Sequence, residues 1–303
     1  MDETLAAPAS TEPGGYVRYL ELINSVSRPL PPMPVADLPP PLLSPLALPL
    51  PAARVMLLGS AGVHLRGEAP FAPVNDLSFR LIPAGSEPSR LRPSHPTPMR
   101  RPGLRDVNVV FPYQRLAELA DEGFIGGVTG VHLSMLGAIK RLRALAGEIA
   151  PAIARQAREH GADLLFVVPL CPACHQAMGV LARAVERCGL PTVCSTNARD
   201  ITGLVKPPRN GFLNFPLGNS VGAPRDPAQQ RAVCRDILSL AGRGAPAGMI
   251  VDLPYTWPDP GWAQQVTAQY RQEADVLRRQ RASEFHDGTH YAADEVRAVT
   301  GRV

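Results

Sequence analysis

The chain has 303 residues, 45% of them apolar, and a net charge of +4 from 31 basic and 27 acidic side chains. That length supports one large or two moderate domains with ample core, and so mild and interspersed a charge argues against a nucleic-acid partner. Acids near the start with no apolar run behind a basic one argue against a secretory leader, and the longest apolar stretch, LPPPLLSPLALPLPAARVMLLG, is too broken by proline to form a membrane helix.

In chain order, GGYVRYLELINSVSR reads as a short amphipathic helix with Tyr16, Tyr19, Leu20 and Ile23 on one face. Ten of the 34 prolines then lie between Pro29 and Pro51, a density that forbids helix or central strand and favours extended chain. Residues 1–53 are therefore expected to form an arm lying across the body or a partner, or a poorly ordered leader. The body opens with a buried strand, Val55 to Leu58, and a tight loop marked by Gly59 and Gly62. A polar, proline-rich stretch runs to Arg105. DVNVVFPYQRLAELADEG predicts a strand, then a helix with Pro112 at its start and Gly123 past its end. Helices are expected around residues 135–147 and 148–160.

The next segment, GADLLFVVPLCPACHQAMGVLARAVERCGLPTVCS, predicts strand, helix and strand, the helix carrying Met178, Leu181, Val185 and Cys188 on one face. ARDITGLV reads as helix and NGFLNF as strand. DPAQQRAVCRDILSLAG reads as a helix capped by Asp226, and GMIVDLP as a last strand. Alternating strands and helices imply an α/β fold, a mainly parallel sheet with helices on both faces in Rossmann-like layers, in one body or two lobes. The organisation expected is an arm over 1–53, an α/β unit over 54–257 and a polar tail over 258–303, with QYRQEADVLRRQRASEF as an exposed helix and the last dozen residues unstructured.

The chemistry concentrates in CPACH. Cys171 follows a buried strand and, with Pro172 in the first helical turn, becomes the helix N-cap; Cys174 is the third helical residue. Ligands bind at this edge of open α/β sheets, and the helix N-terminus stabilises an anion. A thiolate at Cys171 is therefore expected, its pKa lowered from about 8.5 towards roughly 3.5–7.5, with Cys174 placed to resolve the first bond it forms. Four readings stay open on these residues: a thiol nucleophile with a resolving partner, a c-type haem attachment, part of a zinc site with a distant histidine, and two small buried residues at a turn. Absence of an export signal weighs against haem, and absence of a second ligand pair weighs against zinc. Cys188, Cys194 and Cys234 lie in apolar contexts and read as core. Five scattered cysteines do not make a secreted disulfide framework, so a reducing cytoplasm is expected. Polar groups near strand ends supply substrate-binding candidates: His64 after the first glycine loop, His132 in GGVTGVHLS, His175 beside the pair, and Ser195, Asn197, Arg199 and Asp200 in STNARD. No sequence matches a nucleotide-binding glycine motif.

With those residues in view, the ordered segments GSAGVHLRGEAPF, NDLSFRLIP, DVNVVFP, GVHLSMLGAI, VVPLCPACHQAMG, GLPTV, ARDI, KPPRNGFLNFPLG and VDLPYTW resemble the glycine/sarcosine/betaine reductase selenoprotein B family, which includes the D-proline reductase subunit, over roughly residues 54–257. The resemblance implies a thiol-dependent reductase acting on an amine or amino acid derivative. Selenocysteine in the relatives attacks a carbon activated by a pyruvoyl group on a partner subunit, and Cys171 stands at that position. The departure is chemical: sulfur is less acidic and a poorer nucleophile than selenium. The resemblance further implies a separate dithiol protein as reductant and admits a homo-oligomer; no cofactor is evident in the chain itself. The alternative is a non-catalytic binding subunit whose paired cysteines are structural or hold a metal.

Overall fold

The computed structural model describes residues 15–244, 246–286 and 299. In the arm, α1 (Tyr19–Val26) buries Tyr19, Leu22 and Ile23. The body follows with β1 (Arg54–Gly59), β2 (Val63–Leu65), β3 (Phe79–Pro83), β4 (Leu91–Pro93), α2 (Arg101–Arg105), α3 (Tyr113–Asp121), β5 (Gly127–Val128) and β6 (Val131–Met135). A short α4 (Leu142–Ala144) continues through a π segment, Leu145–Ile149, into α5 (Ala150–Glu159). Strand and helix then alternate: β7 (Leu164–Val168), α6 (Pro172–Arg187), β8 (Thr192–Thr196), α7 (Arg199–Val205), β9 (Asn210–Phe212), α8 (Pro227–Ser239) and β10 (Ile250–Asp252). Two helices follow, α9 (Trp262–Gln272) and α10 (Ala274–His286).

One sheet runs through the body in the order β10-β9-β8-β7-β1-β6-β3, with β5 beside the start of β1. Its pairs are parallel apart from β3 against β6 at one edge. Both faces are covered, as a parallel sheet requires. Met56 and Leu58 of β1 face a core built with α1, α5, α6 and α7, whereas Val55 and Leu57 face a second core built with α3 and α8. The chain lays β6 on one side of β1 and β7 to β10 on the other, so the connections diverge between β1 and β7. Such a topological switch point leaves a crevice at the carboxyl ends of the two strands.

Several local expectations are corrected. Val107–Val109 forms a 3-10 turn rather than a strand, because the Asp106 carboxylate accepts from Asn108 N–H and closes the chain on itself. Residues 131–135 are strand, and helix begins only at Leu142, not near 135. The β6 segment is buried on both faces, so its apolar pattern carries no period that separates strand from helix. The proline-rich stretch before Arg105 contains the edge strand β3 and a two-stranded antiparallel ribbon of β2 and β4. The segment expected as an exposed helix divides between α9 and α10, and Tyr270 of α9 is buried. The expectation for the last dozen residues lies outside the described residues apart from position 299. No helix among the described residues is long and apolar enough to cross a membrane.

Candidate functional site

The two cysteines stand at the β1/β7 switch point. After β7, Leu170 N–H donates to Ser60 Oγ at 2.9 Å, and Ser60 N–H donates to the Val168 carbonyl, so the chain leaving β1 fixes the loop that precedes α6. Cys171 takes an extended conformation and caps α6: its Sγ accepts from Cys174 N–H at 3.4 Å. One helical turn brings the sulfurs to 3.0 Å. That is beyond a disulfide of about 2.05 Å and is the contact of a reduced pair sharing a hydrogen bond. Gly137 makes room for them, since a Cβ there would lie 2.5 Å from Cys174 Sγ and 2.8 Å from Ser60 Cβ.

A histidine that sequence reasoning did not single out completes the cluster. His95 places Nε2 at 3.2 Å from Cys174 Sγ and 3.5 Å from Cys171 Sγ. The ring arrives by way of a backbone tie from His95 N–H to the Ala61 carbonyl, in the SHPTP loop that packs over the carboxyl end of β1. Its Nδ1 is buried without a hydrogen-bond partner among the described residues. The sequence held one usable signal, a lone histidine between prolines in a loop after the first strand, and it carries no spacing relation to CPACH.

The surroundings divide the protons unevenly. Burial pushes the Cys174 thiol up, but hydrogen bonds from Cys171, His95 and Ser60 outweigh burial and hold it well below the usual thiol range. Burial, the Cys174 hydrogen bond and the Cys174 charge hold Cys171 well above that range. These contacts favour the first anion of the pair on Cys174 over Cys171. The helix dipole alone favours the N-cap sulfur; the neighbours reverse that order.

His95, Cys171 and Cys174 place three donor atoms within 4.8 Å of one another. They do not fit zinc as they stand: two thiolates bound tetrahedrally at about 2.3 Å lie about 3.7 Å apart, whereas these sulfurs are 3.0 Å apart. A zinc-bound imidazole also ordinarily donates its second N–H to a fixed acceptor, and His95 Nδ1 has none among the described residues.

The remaining candidates lie elsewhere. His175 is a positioning group: its Nδ1–H donates to the Cys171 carbonyl at 2.8 Å and its Nε2 accepts from Asn197 N–H at 3.1 Å. Both ring nitrogens are thus used, and burial, opposed by the bond to Cys171 and by the Cys174 charge, lowers its pKa to about 4. His132 fills a break in the sheet. Between β5 and β6 its Nδ1 accepts from Leu57 N–H at 3.2 Å where a ladder carbonyl would stand, and burial lowers its pKa to about 4. His64 lies in the β2/β4 ribbon, outside the cluster. Ser195 is buried beside a water-sized void shared with His175, Cys194 and Asn210. Arg199 pairs with Asp252 and covers the Tyr16 and Phe212 rings. Asp200 accepts from Leu20 N–H at 2.7 Å and anchors the arm. Cys194 and Cys234 are buried in the two cores, Cys188 is half-buried beside the first, and no cysteine is in a disulfide.

No protein-family model matches the chain, and no solved structure matches it. Among curated proteins, the D-proline reductase subunit gamma of Acetoanaerobium sticklandii is 31% identical over 219 residues, covering 72% of this chain and 90% of the relative.

Proposed function

This chain belongs to the glycine/sarcosine/betaine reductase selenoprotein B family, to which the D-proline reductase gamma subunit belongs, and we propose that it is a thiol-dependent reductase subunit working through Cys171 and Cys174. The observation that carries the reading is the reduced sulfur pair, 3.0 Å apart at the switch point of the sheet.

In this mechanism Cys171 loses its proton and attacks an electrophilic carbon. An S–C bond forms, the bond from carbon to the leaving group breaks, and the leaving group departs with that electron pair and takes a proton. The Cys174 thiolate then attacks Cys171 Sγ. The S–S bond forms, the S–C bond breaks, and its electron pair stays on carbon, which takes the second proton. Carbon is reduced and each sulfur loses one electron; an external dithiol protein restores the pair by thiol–disulfide exchange. The substrate class is an amine or amino acid derivative, with D-proline as the probe drawn from the relative's name. The relative is named as one subunit of a reductase, which supports partner subunits here; a pyruvoyl group on one of them is what the family resemblance implies. Five cysteines without a disulfide support a reducing, cytoplasmic setting.

The test is the fate of Cys171. Mild oxidation of the reduced protein should yield the Cys171–Cys174 disulfide by peptide mass spectrometry, and Cys174→Ser should retain an adduct on Cys171 after exposure to substrate and partner subunits. Stoichiometric metal in the protein as isolated, with both thiols inert, would instead establish the non-catalytic metal-holding subunit.

A further inference from the structure

Resting on that reading, the cluster poses a problem the two cysteines do not solve alone. Cys171 must give up a proton before it attacks, and Cys174 must be a thiolate when its turn comes. If Cys174 took the Cys171 proton it would disarm itself for the second step. A third group that touches both sulfurs removes the conflict, and among the described residues His95 does so, at 3.2 and 3.5 Å.

We infer that His95 is a catalytic acid–base residue of the dithiol, carrying protons between the two sulfurs and the reacting carbon centre. The imidazolium beside the Cys174 thiolate gives one proton to the departing group and receives that of Cys171 as the S–C bond forms. When Cys174 closes the disulfide, the same ring delivers its proton to the released carbon. Two thiol protons are consumed, one on the leaving group and one on carbon, and both return with two electrons when the external dithiol reopens the disulfide.

Further observations bear on this role. The Nδ1 atom is buried and without a hydrogen-bond partner among the described residues, so no acceptor ties the ring at that end. By contrast His175, equally buried and four residues from the N-cap, has both nitrogens tied. The backbone also fixes the ring from behind: His95 N–H is held by Ala61, and Arg100 Nη1 lies at 3.4 Å from the His95 carbonyl. The titratable groups facing the cluster are Cys171 and Cys174 from α6, neutral His175 beside Cys171, and Tyr270 from α9, which burial first and then the Tyr19 and Cys171 charges hold in the neutral form.

The test uses His95→Gln in the full chain, because glutamine can offer an N–H towards the sulfurs but cannot take up or release a proton. Ultraviolet thiolate absorbance of the reduced protein should show the pair's first ionisation displaced upward by about one pH unit, and thus about tenfold less thiolate near neutrality, with the thermal melt little changed. Turnover should lose its neutral-pH limb. A variant whose thiolate titration superimposes on that of the wild type overturns the inference. Histidine-selective NMR of the unaltered protein decides independently of how the variant folds: the His95 ring should change protonation when the disulfide forms, and a ring unmoved by oxidation overturns it. Failure of the parent reading looks different, as a Cys171 and Cys174 that never couple under any oxidant.

Discussion

Two carboxyl edges of the same sheet use their polar residues in opposite ways. At the β1/β7 edge, Ser60, His95, Cys171 and Cys174 converge on one another, and the cluster retains an unspent atom at His95 Nδ1. At the neighbouring β8 edge, STNARD is richer in polar side chains, and they turn to structure: the Asn197 amide donates to the Leu213 carbonyl, Arg199 pairs with Asp252, and Asp200 holds the arm, while Ser195 Oγ and Asn197 Oδ1 are buried without a partner among the described residues. Position at a strand end is therefore a weak guide to function. What separates the edges is that the first directs two thiols and an imidazole at one another, whereas the second directs its charged side chains at an ion pair and at the arm.

The largest test of that contrast is acid. A histidine buried neutral has a folded pKa below its unfolded value of about 6.5. Its stability contribution is complete above that value and is lost as pH falls to the folded pKa, about 4 for both His132 and His175. Each accounts for about 3 kcal/mol by linkage. Chemical denaturation at steps from pH 7 to pH 4 should therefore show stability falling by several kcal/mol. A flat profile would mean that burial does not hold these two rings neutral, and the distinction between structural and reactive histidines would fail.

A substitution at Gly137 sharpens the reactive side. In Gly137→Ala the new methyl meets Cys174 Sγ at 2.5 Å and Ser60 Cβ at 2.8 Å. Overpacking of this kind costs about 1–3 kcal/mol, and the damage should fall on the cluster: Cys174 must turn from Ser60 or from His95, and the low first thiol ionisation should disappear from the thiolate titration. Normal titration in a folded Gly137→Ala protein would show that the cluster does not depend on this fit.

How far the sequence reached follows the same division. CPACH was legible because its parts are local: strand, N-cap, proline and helix lie in one run, and α6 with Asp226-capped α8 stand where the pattern put them. His95 was not legible, because it meets the pair across 76 residues through a proline-rich loop whose path only the fold defines. The histidines that looked informative by proximity to glycine loops or to the cysteines proved to be structural, His132 by replacing a ladder acceptor and His175 by bridging two strand ends. The order of ionisation was also hidden. A helix N-terminus can be read from sequence, whereas the Ser60 and His95 contacts that favour an anion on Cys174 come from three separate segments.

The smallest effect asks how a substrate enters, since Cys171 is only 5% exposed and Cys174 is fully buried. Arm and tail close over this side of the molecule. Tyr19 of α1 accepts from Leu217 N–H at 3.2 Å and packs against Tyr270 of α9, with ring centroids 6.3 Å apart. Tyr270 OH in turn lies 3.8 Å from Met99 Sδ, and Met99 packs against the core that holds the cysteines. If this contact chain limits access, loosening it without disturbing the sulfurs should speed their reaction. Tyr19→Phe removes one buried hydrogen bond, about 1 kcal/mol. Should that loss fall wholly on local opening, iodoacetamide would label Cys171 about fivefold faster, with the pH dependence of labelling unchanged because the cluster is intact. Faster labelling with a shifted pH profile would tie the cover to the chemistry itself. Unchanged labelling would place the entrance elsewhere, and the arm would then join the β8 edge among the parts spent on structure.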